Sequence, residues 1–247
     1  MAPREFYESI DSTQTRAIAL ARAGAPDGTR VVARAQSAGR GRLDRSWWSP
    51  ASGGLYLSMV VDAPPEPRTR LALGVGAEIA DELGRRAGVP IRVKWPNDLL
   101  VEDPEGRARK LGGILIDEVA APAGRWREVV GVGVNVARSD AGIPPALRGR
   151  TASIAEFASS APPLEAVEEW VATATLRARD ALADPERADR LWDRCRALLY
   201  GRGRSVRVDG APVGTIDDLG PAGELLVRAG PTRIAIRAGD VEVASGP

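Results

Sequence analysis

Residues 129–136 read Val-Val-Gly-Val-Gly-Val-Asn-Val, and that run permits few folds. Side chains alternate across a strand, so Val130, Val132, Val134 and Val136 share one face while Gly131, Gly133 and Asn135 share the other. The valine face demands a core. The opposite face is bare until one amide appears, which suits either a helix crossing close to the backbone or a flat ligand lying on the strand. A chain of 247 residues can build such a sheet and bury a core beneath it.

Around that strand the pattern is mixed. Asp11 and Ser12 read as a helix N-cap, with a helical run to about residue 23. Residues 29–36 and 54–61 read as strands. Residues 70–87 have helical spacing, with Leu71, Val75, Ile79 and Leu83 on one face. Three further strands are expected at 91–95, 112–119 and 128–137, then a loop over 140–150. Helices are expected at 163–183 and 185–199, the second with Pro185 in its first turn. From residue 201 the texture changes to five short alternating runs, one pair joined by Asp209-Gly210, a hairpin signal. The expected division is a mixed domain over 1–200 and a small SH3-like β domain over 201–247.

Composition removes whole classes of chemistry. Histidine is absent, which excludes Ser-His-Asp triads, HExxH zinc sites and histidine bases. A single cysteine, Cys195, permits no internal disulfide and no CxxC site, as expected in a reducing compartment. With 34 basic and 33 acidic residues no global field favours DNA or an anionic membrane. No apolar leader or membrane-length run is visible, so the expectation is a soluble cytoplasmic protein. The only lysines are Lys94 and Lys110; every other basic residue is arginine. Neither lysine follows a glycine, which excludes a Walker A loop. A lysine kept where arginine prevails points to a position needing a compact ammonium.

Four stretches besides the valine–glycine strand carry candidate chemistry. Ser12-Thr13-Gln14 opens the first helix, where hydroxyls cap the helix by default and can also hold a polar ligand head. Gln36 precedes Gly39-Arg40-Gly41-Arg42, whose bare backbone and guanidinium forks suit an anion; Trp47 and Trp48 follow. Lys94-Trp95-Pro96-Asn97-Asp98 places a lysine, an amide and a carboxylate at a strand end. Lys110 stands before Gly112-Gly113, a double glycine that marks close approach of a ligand or of another backbone.

In this order the stretches resemble the biotin protein ligases. That family carries Ser-Thr-Asn, Gln-x-x-Gly-Arg-Gly-Arg, Trp-x-Ser-Pro, Lys-Trp-Pro-Asn-Asp, Lys-Leu-x-Gly-Ile-Leu and Gly-x-Gly-x-Asn. Here they read 12–14, 36–42, 47–50, 94–98, 110–115 and 131–135, with Gln14 where the family usually has Asn. The resemblance implies an α+β, class II synthetase-like fold: a mixed sheet with helices and a small C-terminal SH3-like β-barrel. It implies an enzyme that activates biotin with Mg²⁺-ATP as biotinyl-5'-AMP and passes it to a lysine of a biotin carboxyl carrier protein or carboxylase subunit. Ser12, Thr13, Gln14, Gln36, Arg40, Gly41, Arg42, Lys110 and Gly113 would then surround biotin. Arg40, Arg42, Trp47, Asn97, Lys110 and Asn135 would meet ATP or the adenylate. Lys110, Arg42 and Asp98 would carry the chemistry, with Asp98 positioning Mg²⁺-ATP or the incoming lysine; no protein cage for a metal is implied.

Two rivals stand beside this reading. A lipoate or octanoate ligase of the same fold also makes an adenylate, and thermal shift with biotin against lipoate separates the two. A biotin-binding regulator is the rival from another class. The Ser-Thr motif at residue 12 leaves no room before it for a DNA-binding domain, so no DNA partner is expected. A homodimer is compatible with everything read so far.

Overall fold

Seven strands form the sheet that the valine–glycine run demands. They are β1 (Arg4–Tyr7), β2 (Arg30–Ala33), β3 (Gly54–Asp62), β4 (Ile91–Lys94), β5 (Asp98–Glu102), β6 (Ala108–Ala121) and β7 (Arg125–Asn135). Their order across the sheet is β1-β2-β3-β7-β6-β5-β4. The first two pair in parallel, and every other neighbouring pair is antiparallel. This computed structural model describes residues 2–51, 53–65, 67–137, 143–158 and 160–244.

Helices cover both faces, unequally. Helix α2 (Arg68–Ala87), α3 (Leu164–Leu182) and α4 (Pro185–Leu198) pack in one apolar cluster with Val130, Val132 and Val134 of β7. All three valines are buried, worth roughly 1.5–3 kcal/mol apiece on removal from water. The stripe Leu71, Val75, Ile79 and Leu83 that defines α2 in the sequence is buried too, and Gly88 closes the helix in a left-handed conformation, φ 68°. On the opposite face lies α1 (Thr13–Arg22), ten residues long, over Val31, Val60, Val119 and Val129. It is too short to cover that face. Beyond its N-terminus the face carries Ser58, Gly113, Gly131, Gly133 and Asn135, which line an open cleft.

Five more strands follow: β8 (Ser205–Val208), β9 (Ala211–Leu219), β10 (Leu225–Ala229), β11 (Thr232–Ile236) and β12 (Val241–Val243). They form an antiparallel sheet in the order β11-β10-β9-β8-β12. Asp209 and Gly210 both take positive φ, as a tight hairpin between β8 and β9 requires. The turn between β9 and β10 reaches the first sheet, where Trp95 Nε1, just past β4, donates to the Gly223 carbonyl at 2.7 Å; ahead of β8, Tyr200 N donates to the Val93 carbonyl of β4 at 2.9 Å.

Several boundaries differ from the sequence reading. Strand β1 has no strand signature strong enough to read, because an edge strand of four half-exposed residues needs little apolar alternation. Strand β5 lies hidden behind the Pro-Asn-Asp turn; Lys94 pairs with Asp98, so Lys94 to Asp98 is a hairpin tip rather than a strand end followed by loop. Expected strand 29–36 shortens to Arg30–Ala33, and expected strand 112–119 lengthens to Ala108–Ala121 because both ends find partners in β5 and β7. The expected strand 128–137 stops at Asn135, where Val136 N and Ala137 N turn to the Gly53 carbonyl. Of the expected loop 140–150, residues 140–142 lie outside the described residues; Pro145–Leu147 form a 3-10 turn. No helix among the described residues is long and apolar enough to cross a membrane.

Candidate active site

The open half of the sheet face is the floor of a cleft of about 1240 Å³. Its floor is neutral and hydrogen-bonded. Ser12 caps α1, accepting from Thr15 N at 3.4 Å, and Ser12, Thr13 and Gln14 are all buried. Thr13 donates through its backbone N to Gln36 Oε1 at 2.8 Å, and Gln36 Nε2 donates to Ser49 Oγ at 2.8 Å. The Thr13 hydroxyl lies 2.9 Å from that of Ser58, which donates to Gln14 Oε1 at 2.9 Å. Gln14 Nε2 donates to Asp117 Oδ2 at 3.0 Å and to the Val129 carbonyl at 2.9 Å. Buried polar groups this densely paired hold one another in place.

The bare glycine face is resolved by side chains rather than by a crossing helix axis. A methyl group on Gly131 would collide with Gln14, and one on Gly133 would stand 2.5 Å from Trp47 Cε2. Gly113 faces the same indole, 3.3 Å from Trp47 Cζ3 to where its Cβ would be. Trp47 therefore lies flat on the β6–β7 glycines. Its Nε1 is buried with no partner among the described residues. An unpaired buried donor costs about 1–3 kcal/mol, and a ligand acceptor would remove that cost.

Cations surround this floor. Lys110 Nζ sits 5.2 Å above the Trp47 ring and forms an ion pair with Asp98 Oδ1 at 2.6 Å. Arg42 Nη1 donates to Asn97 Oδ1 at 3.3 Å, and Asn97 Nδ2 in turn donates to the Ile114 carbonyl at 2.7 Å. Burial pulls the Arg42 guanidinium below the ordinary arginine value, with Asp98 and Asp240 opposing. Burial likewise lowers Lys94, with Asp98 opposing it and Lys110 adding to it. Arg40 reaches Asp117 Oδ2 at 3.3 Å. The Gly-Arg-Gly-Arg segment is a tight hairpin: Arg40 bridges Ser46, and Gly41 N donates to the Arg45 carbonyl at 2.7 Å. Arg45 then pairs with Asp240, just before β12, at 2.5 Å. That contact, with the weaker influence of Lys94 and Arg42, holds the Asp240 carboxyl below its usual value.

The residues expected to meet a ligand line this one cleft: Ser12, Thr13, Gln14, Gln36, Arg40, Gly41, Arg42, Trp47, Asn97, Asp98, Lys110, Gly113 and Asn135; Gly39 and Gly112 of the same motifs do not. Asn135 Nδ2 donates to the Lys110 and Ala152 carbonyls, at 3.3 and 3.0 Å, tying the 151–152 segment to β6 and leaving its Oδ1 to face a ligand. Four partners were not picked out in the sequence. Ser58 hides inside a continuous apolar strand, Asp117 stands at the end of an apolar run beside a second acid, Glu118, Arg45 is one arginine among many, and Asp240 lies about two hundred positions from Arg45. Only the alternation of β6, which puts Asp117 on the face of Leu115 and Gly113, could have flagged one of them.

A mixed sheet with a polar, helix-capped floor and a rim of cations makes one cleft suited to an anionic ligand with a polar head. The structure superposes on the biotin protein ligase of Aquifex aeolicus solved with biotin and ATP, at TM-score 0.82 and 24% identity over 100% of both chains. It superposes less closely on that of Leishmania major solved with biotinyl-5-AMP, at TM-score 0.58 and 21% identity over 99% of each chain. These likenesses establish the fold. The chain belongs to the biotin/lipoate A/B protein ligase family, whose model matches residues 6–135. It is 32% identical over 245 residues to the biotin–[acetyl-CoA-carboxylase] ligase of Mycobacterium tuberculosis, covering 93% of this chain and 85% of that one. It is 34% identical over 156 residues to the bifunctional ligase/repressor BirA of Bacillus subtilis, covering 62% of this chain. The match spans about half the length of that relative, 46%.

Proposed function

We propose that this protein is a biotin–[biotin carboxyl carrier protein] ligase. The reading is carried by one observation: a neutral donor–acceptor floor and a cationic rim meet in the same cleft at Lys110, in a chain that aligns almost end to end with a biotin–[acetyl-CoA-carboxylase] ligase. The floor formed by Ser12, Thr13, Gln14 and Gln36 takes the ureido ring of biotin, with Arg40, Gly41 and Gly113 along its tail. Lys110 stands where the biotin carboxylate and the α-phosphate of ATP must meet. Attack of the carboxylate oxygen on that phosphorus forms biotinyl-5'-AMP and releases pyrophosphate. No histidine base is needed, because the nucleophile is already an anion. The work left to the protein is alignment of two anions and neutralisation of the charge they bring together.

Arg42 and Arg40 hold the phosphate, Trp47 flanks the adenylate, and Asn97 and Asn135 stand towards the nucleotide. Asp98 is the carboxylate that would help hold Mg²⁺, which would screen the phosphate charge of ATP. In the second half-reaction a lysine amine of the carrier attacks the anhydride carbonyl, forming an amide and releasing AMP. We divide the labour between residues 1–200, which hold both substrates, and residues 201–247, which bring Asp240 to the Arg45 hairpin. The lipoate alternative gains nothing from a floor built of hydroxyls and amides, since a dithiolane ring donates no hydrogen bond. The test is incubation with biotin, Mg²⁺-ATP and a carrier domain, read by intact mass. One biotinyl group on the carrier is expected; modification with lipoate and none with biotin would overturn the assignment.

A further inference from the structure

The hydrogen-bond chain under the cleft has a direction, and the residues at its far end impose it. Gln14 Nε2 lies 2.9 Å from the Val129 carbonyl and 3.0 Å from an Asp117 carboxylate oxygen. Both partners accept, so that side of the amide is NH₂ and Oε1 faces Ser58. An amide oxygen only accepts, so Ser58 gives its single hydroxyl proton to Gln14, at 2.9 Å. Ser58 then has only lone pairs for Thr13 Oγ1, 2.9 Å away.

The other end is pinned independently. Thr13 N donates to Gln36 Oε1 at 2.8 Å, Gln36 Nε2 donates to Ser49 at 2.8 Å, and Ser49 closes on the Trp47 carbonyl at 3.0 Å. The Thr13 hydroxyl proton is thus held between two acceptors, Ser58 Oγ and Gln36 Oε1, the latter at 3.1 Å. Thr13 can offer the cleft only a lone pair, while Gln36 keeps its second N–H.

We propose that Gln14 and Asp117 are positioning residues that lock the polarity of this floor, making Thr13 an obligate acceptor and so selecting a ligand head that brings an N–H donor. The proposal rests on the ligase reading above and deepens it. A cyclic urea supplies N–H and C=O side by side, whereas a ring oxygen or sulfur in place of that N–H would face the Thr13 lone pair. Asp117 acts through Gln14 and, at 3.3 Å, through Arg40. Gly131 is bare because Gln14 occupies the place its side chain would need.

The experiment measures ATP–pyrophosphate exchange with biotin and with its two oxazolidinone analogues, in each of which one ring N–H is replaced by oxygen. The wild type is compared with Gln14→Met, Ser58→Ala and Asp117→Asn. Methionine fills nearly the same volume but cannot take the proton of Ser58, which can then donate to Thr13 and leave Gln36 Oε1 as the one acceptor competing with the ligand for the Thr13 proton. In Gln14→Met and in Ser58→Ala the preference for biotin over the discriminated analogue should fall about tenfold, through KM rather than kcat. Asp117→Asn, whose amide oxygen still accepts from Gln14, should keep the wild-type ratio. A merely structural role moves both substrates together, so an unchanged ratio in Gln14→Met and Ser58→Ala overturns the polarity lock. Exchange with lipoate and not with biotin in the wild type instead overturns the functional reading, and this inference with it.

Discussion

Replacing Glu128 with glutamine should stabilise the protein at alkaline pH and leave it nearly unchanged in acid. Glu128 stands on β7 directly opposite Glu118 of β6 and is 4% exposed. One of its carboxylate oxygens is buried with no partner among the described residues. Burial pushes its carboxyl from an ordinary 4.5 up to about 7; Arg68 opposes the shift, while Glu118 and Asp117 add to it. The folded protein therefore keeps a proton that the unfolded chain releases near 4.5. Between those two values the folded state binds more protons, so stability falls as pH rises, fully present below the lower value and lost above the upper. The displacement corresponds to roughly 3 kcal/mol at ~1.4 kcal/mol per unit, and relaxation around the ionised group makes about 2 kcal/mol the expected gain in Glu128→Gln at pH 8.5. The assay is urea unfolding of both proteins at pH 4 and pH 8.5, read as the difference between variant and wild type so that other titrating groups cancel. A difference equal at both pH values would refute the argument, because it would mean that Glu128 ionises alike in the folded and unfolded states.

Further outcomes concern the cleft. Lys110→Ala should slow biotin-dependent pyrophosphate exchange by about 10²–10³-fold with the fold retained. Lys110→Arg should not restore it, since a planar fork cannot take the position of a compact ammonium; full exchange in the arginine variant would make Lys110 a mere surface charge. Arg42→Gly should form the adenylate but release it early, so biotin on bulk bystander protein, blotted at equal turnover, should exceed the wild-type level. Gly133→Ala places a methyl 2.5 Å from Trp47 Cε2 and must lift the indole off the sheet. Weakened exchange with unchanged circular dichroism is expected, and exchange at the wild-type rate would show that the Trp47 seat is dispensable.

The sequence was informative wherever a pattern recurs within a few residues of itself. The valine–glycine alternation of β7 predicted both the buried face and the bare one, and the spacing of Leu71, Val75, Ile79 and Leu83 predicted the buried stripe of α2. Each cleft residue proposed from the motifs sits in the cleft, because the motifs are short and each lies at the end of an element that aims it. What was not legible depends on contacts between distant positions. Strand β1 exists because β2 offers it an edge, and nothing within residues 4–7 announces that. Asp117 matters only because α1 delivers Gln14 to it across 103 positions, and Asp240 only because Arg45 lies 195 positions before it. The direction of the floor network was invisible too, since it follows from which oxygens cannot donate.

The pairing of Arg45 with Asp240 also bears on the order in which the molecule can be completed. Ser12 and Asp240 border one cleft. A chain leaving the ribosome exposes the α1 cap, the arginine hairpin and the hydroxyl floor long before the carboxylate that neutralises that hairpin has been made. Strands β1 to β7 can pair during that interval, since their ladders need nothing from the second sheet. The cleft cannot be finished. Its wall at residues 239–243 is supplied only after β8 to β11 have emerged and folded back. A nascent or nicked chain lacking that wall would leave Arg42 and Arg45 facing water beside a formed floor, so the cleft gains its last wall only in molecules that have been translated through residue 243.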